Sequence, residues 1–159
     1  MTVHYRLWSS GRPSWCEYEL TTEPEHTPAI RSFCSEDWSD TSQTVNLDVE
    51  LIPEPDGPRG PRAISVRAAG RTLGYLDVKD DAAWAPVVRR VIASGLVPTT
   101  TGQIFAHNYE GWDAADNFIA IVRIRLGQPN EALPLNDPPM VPYTLLPKSS
   151  IVQVEVNPS

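Results

Sequence analysis

The sequence has little of what marks a catalytic or metal-binding protein. It contains only two cysteines, Cys16 and Cys34, which lack the C-x-x-C spacing of zinc sites and redox motifs and leave a disulfide as an open alternative. The three histidines are scattered at His4, His26 and His107, and no Ser-His-Asp set, phosphate-binding glycine loop or dinucleotide fingerprint is present. We therefore expect no catalytic residues, no metal and no cofactor.

Long apolar runs are also missing. No stretch approaches the roughly 18 consecutive apolar residues of a transmembrane helix, and the amino terminus has no basic segment leading into an apolar one. The sequence thus predicts a soluble, cytoplasmic protein with no membrane partner. The formal net charge of −7 argues against non-specific nucleic-acid binding, because the molecule as a whole repels phosphate.

Proline, in contrast, is abundant. Sixteen prolines in 159 residues are roughly twice the usual share, which limits helix and favours a loop-rich β protein. The length and a hydrophobic content of 41% suit one globular unit with a real core. We divide this unit into an N-terminal hairpin and acidic linker (1–42), a small barrel (43–126), and a proline-rich arm with a final strand (127–159).

The stretch from Leu47 to Val78 organises the rest of the chain. Apolar and polar side chains alternate around Leu47 and again from Ile64 to Ala68, as in half-buried strands. Gly70 is expected to take a positive φ in the tight turn of a hairpin. The loop Pro53–Pro61 contains four prolines, which fix φ and remove donors, so it is predicted to be a stiff exposed connection.

One principal helix is predicted from Asp80 to Ser94 and is expected to plug the barrel. Its apolar residues follow the spacing of a single buried face: Trp84, Val87, Val88, Val91 and Ile92. Asp80 or Asp81 is expected to cap its start and Gly95 to close its end. Pro86 should lie in a first turn or else split off a short turn before it.

Two further strands are predicted at Gln103–His107 and Phe118–Leu126. Apolar residues on both faces up to Ile121 imply burial on both sides of the second strand. The connecting loop holds four side chains that can bind metals or act as acids and bases, namely His107, Glu110, Asp113 and Asp116. Their spacing matches no calcium loop and no metalloprotease pair, so we interpret the loop as a turn.

The two ends of the chain carry additional β patterns. Residues 1–20 are interpreted as an added hairpin of Val3–Trp8 and Trp15–Leu20. Ile151–Val156 alternates again, and this strand either pairs with the hairpin or leads into a further domain of a longer chain. Sealing one end of the barrel is a commoner role than base stacking for isolated aromatics such as Trp8, Trp15 and Trp38.

The spacing of several residues resembles the HIRAN domain. The shared frame spans about Leu47 to Ile124 and consists of Pro55-x-x-Pro58, Ala63-Ile64-x-Val66, Gly70 and Gly74-Tyr75-Leu76, followed by a helix with alanines at its start. The resemblance implies a small closed or partly open β-barrel, related to OB and SH3-like barrels, with one principal helix. Members of that family are attached to helicase-like DNA-repair proteins, and some bind the 3′ end of single-stranded DNA.

The loop of this chain departs from the family pattern. Gly57, Arg59, Gly60 and Arg62 stand where the family has Asn, Tyr, Asp and Asn. In DNA-binding members of the family, that Tyr and Asp contact the terminal nucleotide. The resemblance therefore carries over the residues that shape the barrel but not those that touch DNA.

Charged and aromatic residues around the loop indicate where a ligand would bind. Four arginines are placed to form a basic patch on the loop and the hairpin, although a solvated surface is the plainer interpretation: Arg59, Arg62, Arg67 and Arg71. We expect a non-enzymatic binding module that uses this patch, with Tyr75 or Trp38, to hold single-stranded DNA or DNA ends. The alternative is a protein-interaction or scaffold module whose flanks supply the contact surface.

Overall fold

Within residues 3–7, 16–36, 42–108 and 118–129, which the computed structural model describes, the chain forms one curled sheet and two α-helices. The strands are β1 (His4–Arg6), β2 (Tyr18–Glu19), β3 (Ser42–Pro53), β4 (Ile64–Ala68), β5 (Arg71–Tyr75), β6 (Val97–Asn108) and β7 (Phe118–Ile124). The helices are α1 (Thr27–Ser32), which follows the 3₁₀ turn Pro24–His26, and α2 (Val78–Ala93). The fold is therefore mainly β, as predicted.

The sheet curls until its outer strands meet. Its order is β2-β7-β6-β3-β4-β5, with β1 pairing in parallel to the start of β6. The two longest strands, β3 and β6, run antiparallel from the pair Ser42–His107 to the pair Glu50–Thr99. A single antiparallel bridge between Thr21 and Tyr75 then joins β5 to the segment after β2. This half-barrel agrees with the expected small barrel at a coarse level.

The core lies inside the curl and beneath α2. The predicted alternation of β3 is confirmed, because Val49 and Leu51 are fully buried whereas Asp48 is exposed. Burying an aliphatic side chain of this size stabilises the fold by about 1.5–3 kcal/mol. The largest fully buried side chains come from five strands or strand ends and from α2: Leu51, Ile64, Leu73, Leu76, Ile104, Ile124, Val88 and Val91.

The turn between β4 and β5 requires a positive φ at two residues. Gly70 has a φ of +77°, as predicted, and Ala69 has a φ of +48°. Two consecutive positive φ values are typical of a type I′ turn, whose twist matches that of the flanking strands. A register shift between Val66 and Arg67 makes Leu73 an extra residue on β5. This β-bulge was not predicted from the alternation pattern.

Helix α2 begins earlier than predicted because a different residue caps it. The cap is Asp77, whose side chain accepts a hydrogen bond from the Lys79 backbone at 3.1 Å. At the other end, Gly95 has a φ of +82° and closes the helix as predicted. The Gly95 and Leu96 amides donate to the carbonyls of Ile92 and Val91, which are the two bonds of a Schellman motif. The buried face contains Trp84, Val87, Val88 and Val91, whereas Ile92 is only partly buried.

Pro86 lies in the interior of α2, so the expectation that it would occupy or split off a first turn is wrong. Proline removes the hydrogen bond that its amide would give to the carbonyl four residues earlier, here that of Ala82. Both Pro86 and Ala82 are exposed, so water can reach that carbonyl. The helix therefore continues through the proline.

The N-terminal strands belong to the main sheet. Within the described residues β1 pairs with β6 and β2 pairs with β7, so the expectation that they pair with each other as a hairpin is wrong. Tyr5 and Leu20 are buried in the common core, which explains why both strands are drawn into the sheet. The side chains of Ala29 and Ile30 in α1 join the same core.

Cys16 and Cys34 are both free, so the disulfide alternative is wrong. Burial raises the pKa of each thiol, while Arg125 and Arg31 respectively act to lower it. None of the helices in the described ranges is long and apolar enough to cross a membrane. Several predicted features lie outside the described residues: Trp8, Trp15, Trp38, Glu110, Asp113, Asp116, the arm beyond residue 129 and the strand Ile151–Val156.

Candidate functional site

Glu54, directly after β3, brings two of the predicted site residues together. Its Oε1 accepts a hydrogen bond from the Tyr75 hydroxyl at 2.8 Å, and its Oε2 accepts one from Arg67 Nη2 at 2.9 Å. Arg67 Nε donates to Ser65 Oγ at 3.0 Å, and this hydroxyl donates to the Ile52 carbonyl at 3.0 Å. We call Glu54, Ser65, Arg67 and Tyr75 the Glu54 cluster.

The register of β3, β4 and β5 explains why these side chains meet. Ser65 lies opposite Ile52 on one side and opposite Tyr75 on the other. Arg67 is two residues further along β4 and therefore projects from the same face as Ser65. The Glu54 amide donates to the Ala63 carbonyl at 2.9 Å, which extends the pairing by one step into the loop.

The proline-rich loop folds back over this cluster. Gly60 has a φ of +108°, and successive bonds from Gly57 to Glu54, from Gly60 to Gly57 and from Ala63 to Gly60 form its turns. The guanidinium of Arg59 consequently lies 4.6 Å above the centre of the Tyr75 ring, in cation–π contact.

Arg59 also pairs with a carboxylate from the 3₁₀ turn region. Its Nη1 lies 2.5 Å from Glu23 Oε1, and only 19% of its side chain is exposed. The Glu23 amide donates to Nδ1 of the buried His26 at 3.0 Å, and the His26 ring lies 5.6 Å from the ring of Tyr75. We call Arg59, Tyr75 and Glu23 the loop site.

The pKa values of the carboxyl and the phenol of the Glu54 cluster are shifted in opposite directions. Burial acts to raise the pKa of Glu54, but hydrogen bonds led by the one from Arg67 outweigh it and hold that pKa below its ordinary value. Burial, followed by the hydrogen bond to Glu54 and its negative charge, raises the pKa of Tyr75 to about 12. At neutral pH the carboxylate is therefore ionised and the phenol is neutral.

The four predicted arginines do not form one patch. Arg59 and Arg67 are neutralised by Glu23 and Glu54, respectively. Arg62 and Arg71 are exposed, and no carboxylate in the described part of the chain pairs with either. Arg62 shares the loop with Arg59, but Arg71 lies beyond the opposite end of the five-residue strand β4. The length of that strand corresponds to about 17 Å.

Asp81, which the sequence offered only as a helix cap, is a buried carboxylate beside the loop. It is 6% exposed, and its Oδ1 has no hydrogen-bond partner among the described residues. Burial raises the pKa of Asp81, the positive charge of Arg59 acts to lower it, and the negative charges of Asp77 and Asp80 raise it further. The burial of Asp81 could have been predicted from its periodic position on the buried face of the helix.

An apolar surface lies on the outer face of β6 and β7. Phe105 is 38% exposed and Ile119 is 51% exposed, so the expectation that β7 is buried on both sides is wrong. Phe105 lies opposite Ile121 in the sheet register, and Ile119 lies two residues before it on the same face. We call Phe105, Ile119 and Ile121 the β6–β7 patch.

Comparison with known proteins adds no identification. No family model, no curated protein and no solved structure matches the chain. The resemblance to the HIRAN domain therefore stays a prediction.

Proposed function

We propose that this chain is a non-enzymatic binding module that holds an end of single-stranded DNA at the loop site. What supports the proposal is the cation–π contact of the Arg59 guanidinium with the Tyr75 ring, in which the central guanidinium carbon lies 4.6 Å from the ring centre. Arg59 stands where the family that the chain resembles has its base-stacking Tyr. A guanidinium plane, like an aromatic ring, is a surface on which an unstacked base can lie.

The charges around the loop site determine what kind of binding is expected. Of the four arginines, only Arg62 and Arg71 lack a carboxylate partner in the described ranges. Neutralising one phosphate of a single strand contributes a slope of about −0.7 to log K against log salt, so one or two arginines that meet phosphate give a slope between about −0.7 and −1.4. Stacking, which contributes about 1–3 kcal/mol per base, would thus supply most of the affinity.

Titration of fluorescently labelled single-stranded oligonucleotides tests the proposal. Oligonucleotides with free and blocked 3′ ends are compared by fluorescence anisotropy at low and at moderate salt. We expect preference for the free end and a shallow salt dependence. Absence of binding, or binding that ignores the blocked end and fades steeply with salt, would contradict end recognition.

Two arginine variants locate the contact. Arg62→Ala should weaken binding by about fivefold or more, because a charge-assisted contact to phosphate is worth roughly 1 kcal/mol or more. Arg71→Ala is the matched control, since Arg71 is also exposed and lies at the far end of the hairpin. Its affinity should stay within about twofold of the parent protein. Equal losses in both variants would show that only overall charge matters.

A protein-interaction module is the second candidate, and the β6–β7 patch is the observation that favours it. Exposed apolar side chains clustered on one sheet face are typical of surfaces that contact other proteins. The flanking segments were the expected contact surface, whereas this patch lies on the sheet itself. A photo-crosslinking residue at position 119 should capture a protein partner, and one at the polar outer-face position Asn46 should not.

A further inference from the structure

We propose that Glu23 blocks the loop site from within, because its carboxylate fills the place on Arg59 where a phosphate of the ligand would bind. The inference rests on the proposed function and names its regulation. Carboxylate and phosphate oxygens are alternative acceptors for the same guanidinium donors. On the proposed function, the external anion that competes with Glu23 for Arg59 is the phosphate of a nucleotide end.

The guanidinium has little room for a second anion. Only 19% of the Arg59 side chain is exposed, the ring of Tyr75 lies 4.6 Å from the guanidinium carbon, and Glu23 occupies Nη1. A phosphate that reaches this nitrogen must displace the carboxylate. Binding is consequently a competition between an internal and an external anion.

Glu23 is more easily displaced from its arginine partner than Glu54 is from Arg67. The side chain of Glu23 is 47% exposed, and the ion pair with Arg59 is its one contact to a cation in the described residues. In the capping box of the 3₁₀ turn the Glu23 side chain also accepts a hydrogen bond from the His26 backbone amide, while the Glu23 amide donates to His26 Nδ1. A displaced Glu23 side chain therefore gives up one backbone hydrogen bond as well as the ion pair, and the bond to Nδ1 remains. Glu54 is 19% exposed and accepts bonds from both Arg67 and Tyr75.

The chain offers a matched pair of substitutions. Glu23→Gln keeps the size of the side chain and removes its charge. Glu25→Gln makes the same change in net charge two residues away, on a side chain that is 71% exposed and lies 3.7 Å from His26, not beside Arg59. Both positions are solvent-accessible, and thermal unfolding followed by circular dichroism verifies that each variant folds.

We expect Glu23→Gln to tighten binding of a single-stranded oligonucleotide by roughly two- to fivefold, the range typical of losing an exposed ion pair. Glu25→Gln should change it by less than about 1.5-fold, since one distant charge is largely screened at moderate salt. Equal tightening in both variants would reduce the effect to overall charge and overturn the inference. Weaker binding by Glu23→Gln would also overturn it, because Glu23 would then be holding Arg59 in place for the ligand.

A second measurement separates this inference from the proposed function. The Arg59 Nε–H signal is followed by NMR while inorganic phosphate is added to the parent protein and to Glu23→Gln. A larger shift in the variant supports the internal block even if no form of the protein binds DNA. An identical response of the two proteins overturns the block, and it does so even if the parent protein binds DNA ends.

Discussion

At the scale of single residues, Asp81 and Asp80 show how one helical turn holds two carboxylates with opposite energetic roles. Asp80 Oδ2 accepts a hydrogen bond from the Tyr18 hydroxyl at 2.6 Å, and that hydroxyl also accepts from the Asp77 amide at 2.8 Å. Asp81 is buried, and its Oδ1 has no such partner among the described residues. A buried carboxylate oxygen without a hydrogen bond lowers the stability of the folded state.

Asp81→Asn should therefore raise the free energy of unfolding at pH 7 by about 1 kcal/mol. The raised pKa of Asp81 means that the folded state takes up its proton more readily than the unfolded state. The parent protein thus gains stability from this group as pH falls through the folded pKa, and the gain is complete below the ordinary Asp value of about 4. The difference in free energy of unfolding between Asp81→Asn and the parent protein should therefore be smaller at pH 4.5 than at pH 7. Urea unfolding at the two pH values measures this difference.

Asp80→Asn is the control for this prediction, because it makes the same change one residue away. It weakens the bond to Tyr18 and should lower the free energy of unfolding at pH 7. A stabilising Asp80→Asn, or an Asp81→Asn that destabilises at every pH, would contradict our interpretation of this turn.

The residues of the loop site show what the sequence can and cannot predict. Arg59, Arg67 and Tyr75 were identified as a cation-and-aromatic set because of their types and their place in the loop and hairpin. Their partners were not, because Glu23 is 36 positions away from Arg59 along the chain. Only the register of the strands and the curl of the sheet bring these groups together.

At the scale of elements, the turn between β4 and β5 holds a residue that its conformation does not favour. Ala69 has a φ of +48°, and a β-carbon in this region costs roughly 1–2 kcal/mol. Asn tolerates this conformation better, and Asn-Gly is a preferred pair for type I′ turns. Ala69→Asn should raise the free energy of unfolding by about 1 kcal/mol, as measured by urea or thermal unfolding.

The same exposed position supplies its own control. Ala69→Val places a β-branched side chain at a positive φ, which should lower stability below that of the parent protein. Stabilisation by both substitutions would contradict this account, because only Asn is expected to relieve the backbone strain at this positive φ.

Local elements could be predicted well from the sequence, whereas their partners could not. The alternation of β3, the positive φ of Gly70 and the buried face of α2 depend on neighbouring residues only, and all three are confirmed. The pairing of β1 with β6 and the bulge at Leu73 depend on distant strands. The cap of α2 was misplaced because three acidic residues near its start compete for that role, and periodicity does not distinguish them.

At the scale of the whole molecule, the closure of the sheet involves a close approach of two backbone segments at Gly74. A β-carbon at Gly74 would lie 2.8 Å from the Thr21 carbonyl oxygen and 3.1 Å from Leu20 Cβ. Gly74→Ala must therefore push the segment after β2 away from β5. We expect a loss of about 2 kcal/mol in the free energy of unfolding, within the range typical of overpacking. Hydrogen exchange at the Thr21 and Tyr75 amides should become faster.

Gly102→Ala is the comparison for this change. Its β-carbon would lie 2.9 Å from Cγ1 of Val49, a fully buried and stiff side chain, so this substitution should also lower the free energy of unfolding. Because the clash is with β3 and not with the segment after β2, we expect unchanged exchange at Thr21 and Tyr75. Equal effects of the two substitutions on exchange would show that the bridge is not sensitive to Gly74.

Tyr75 takes part both in the closure of the sheet and in the loop site. Its backbone exchanges two hydrogen bonds with Thr21, at 2.9 and 3.0 Å, where the sheet edges join, while its ring carries Arg59. Separation of β5 from the segment after β2 would therefore move the Tyr75 ring that Arg59 contacts. A molecule bound at the loop site would thus stabilise the pairing of Thr21 with Tyr75 for as long as it stays bound.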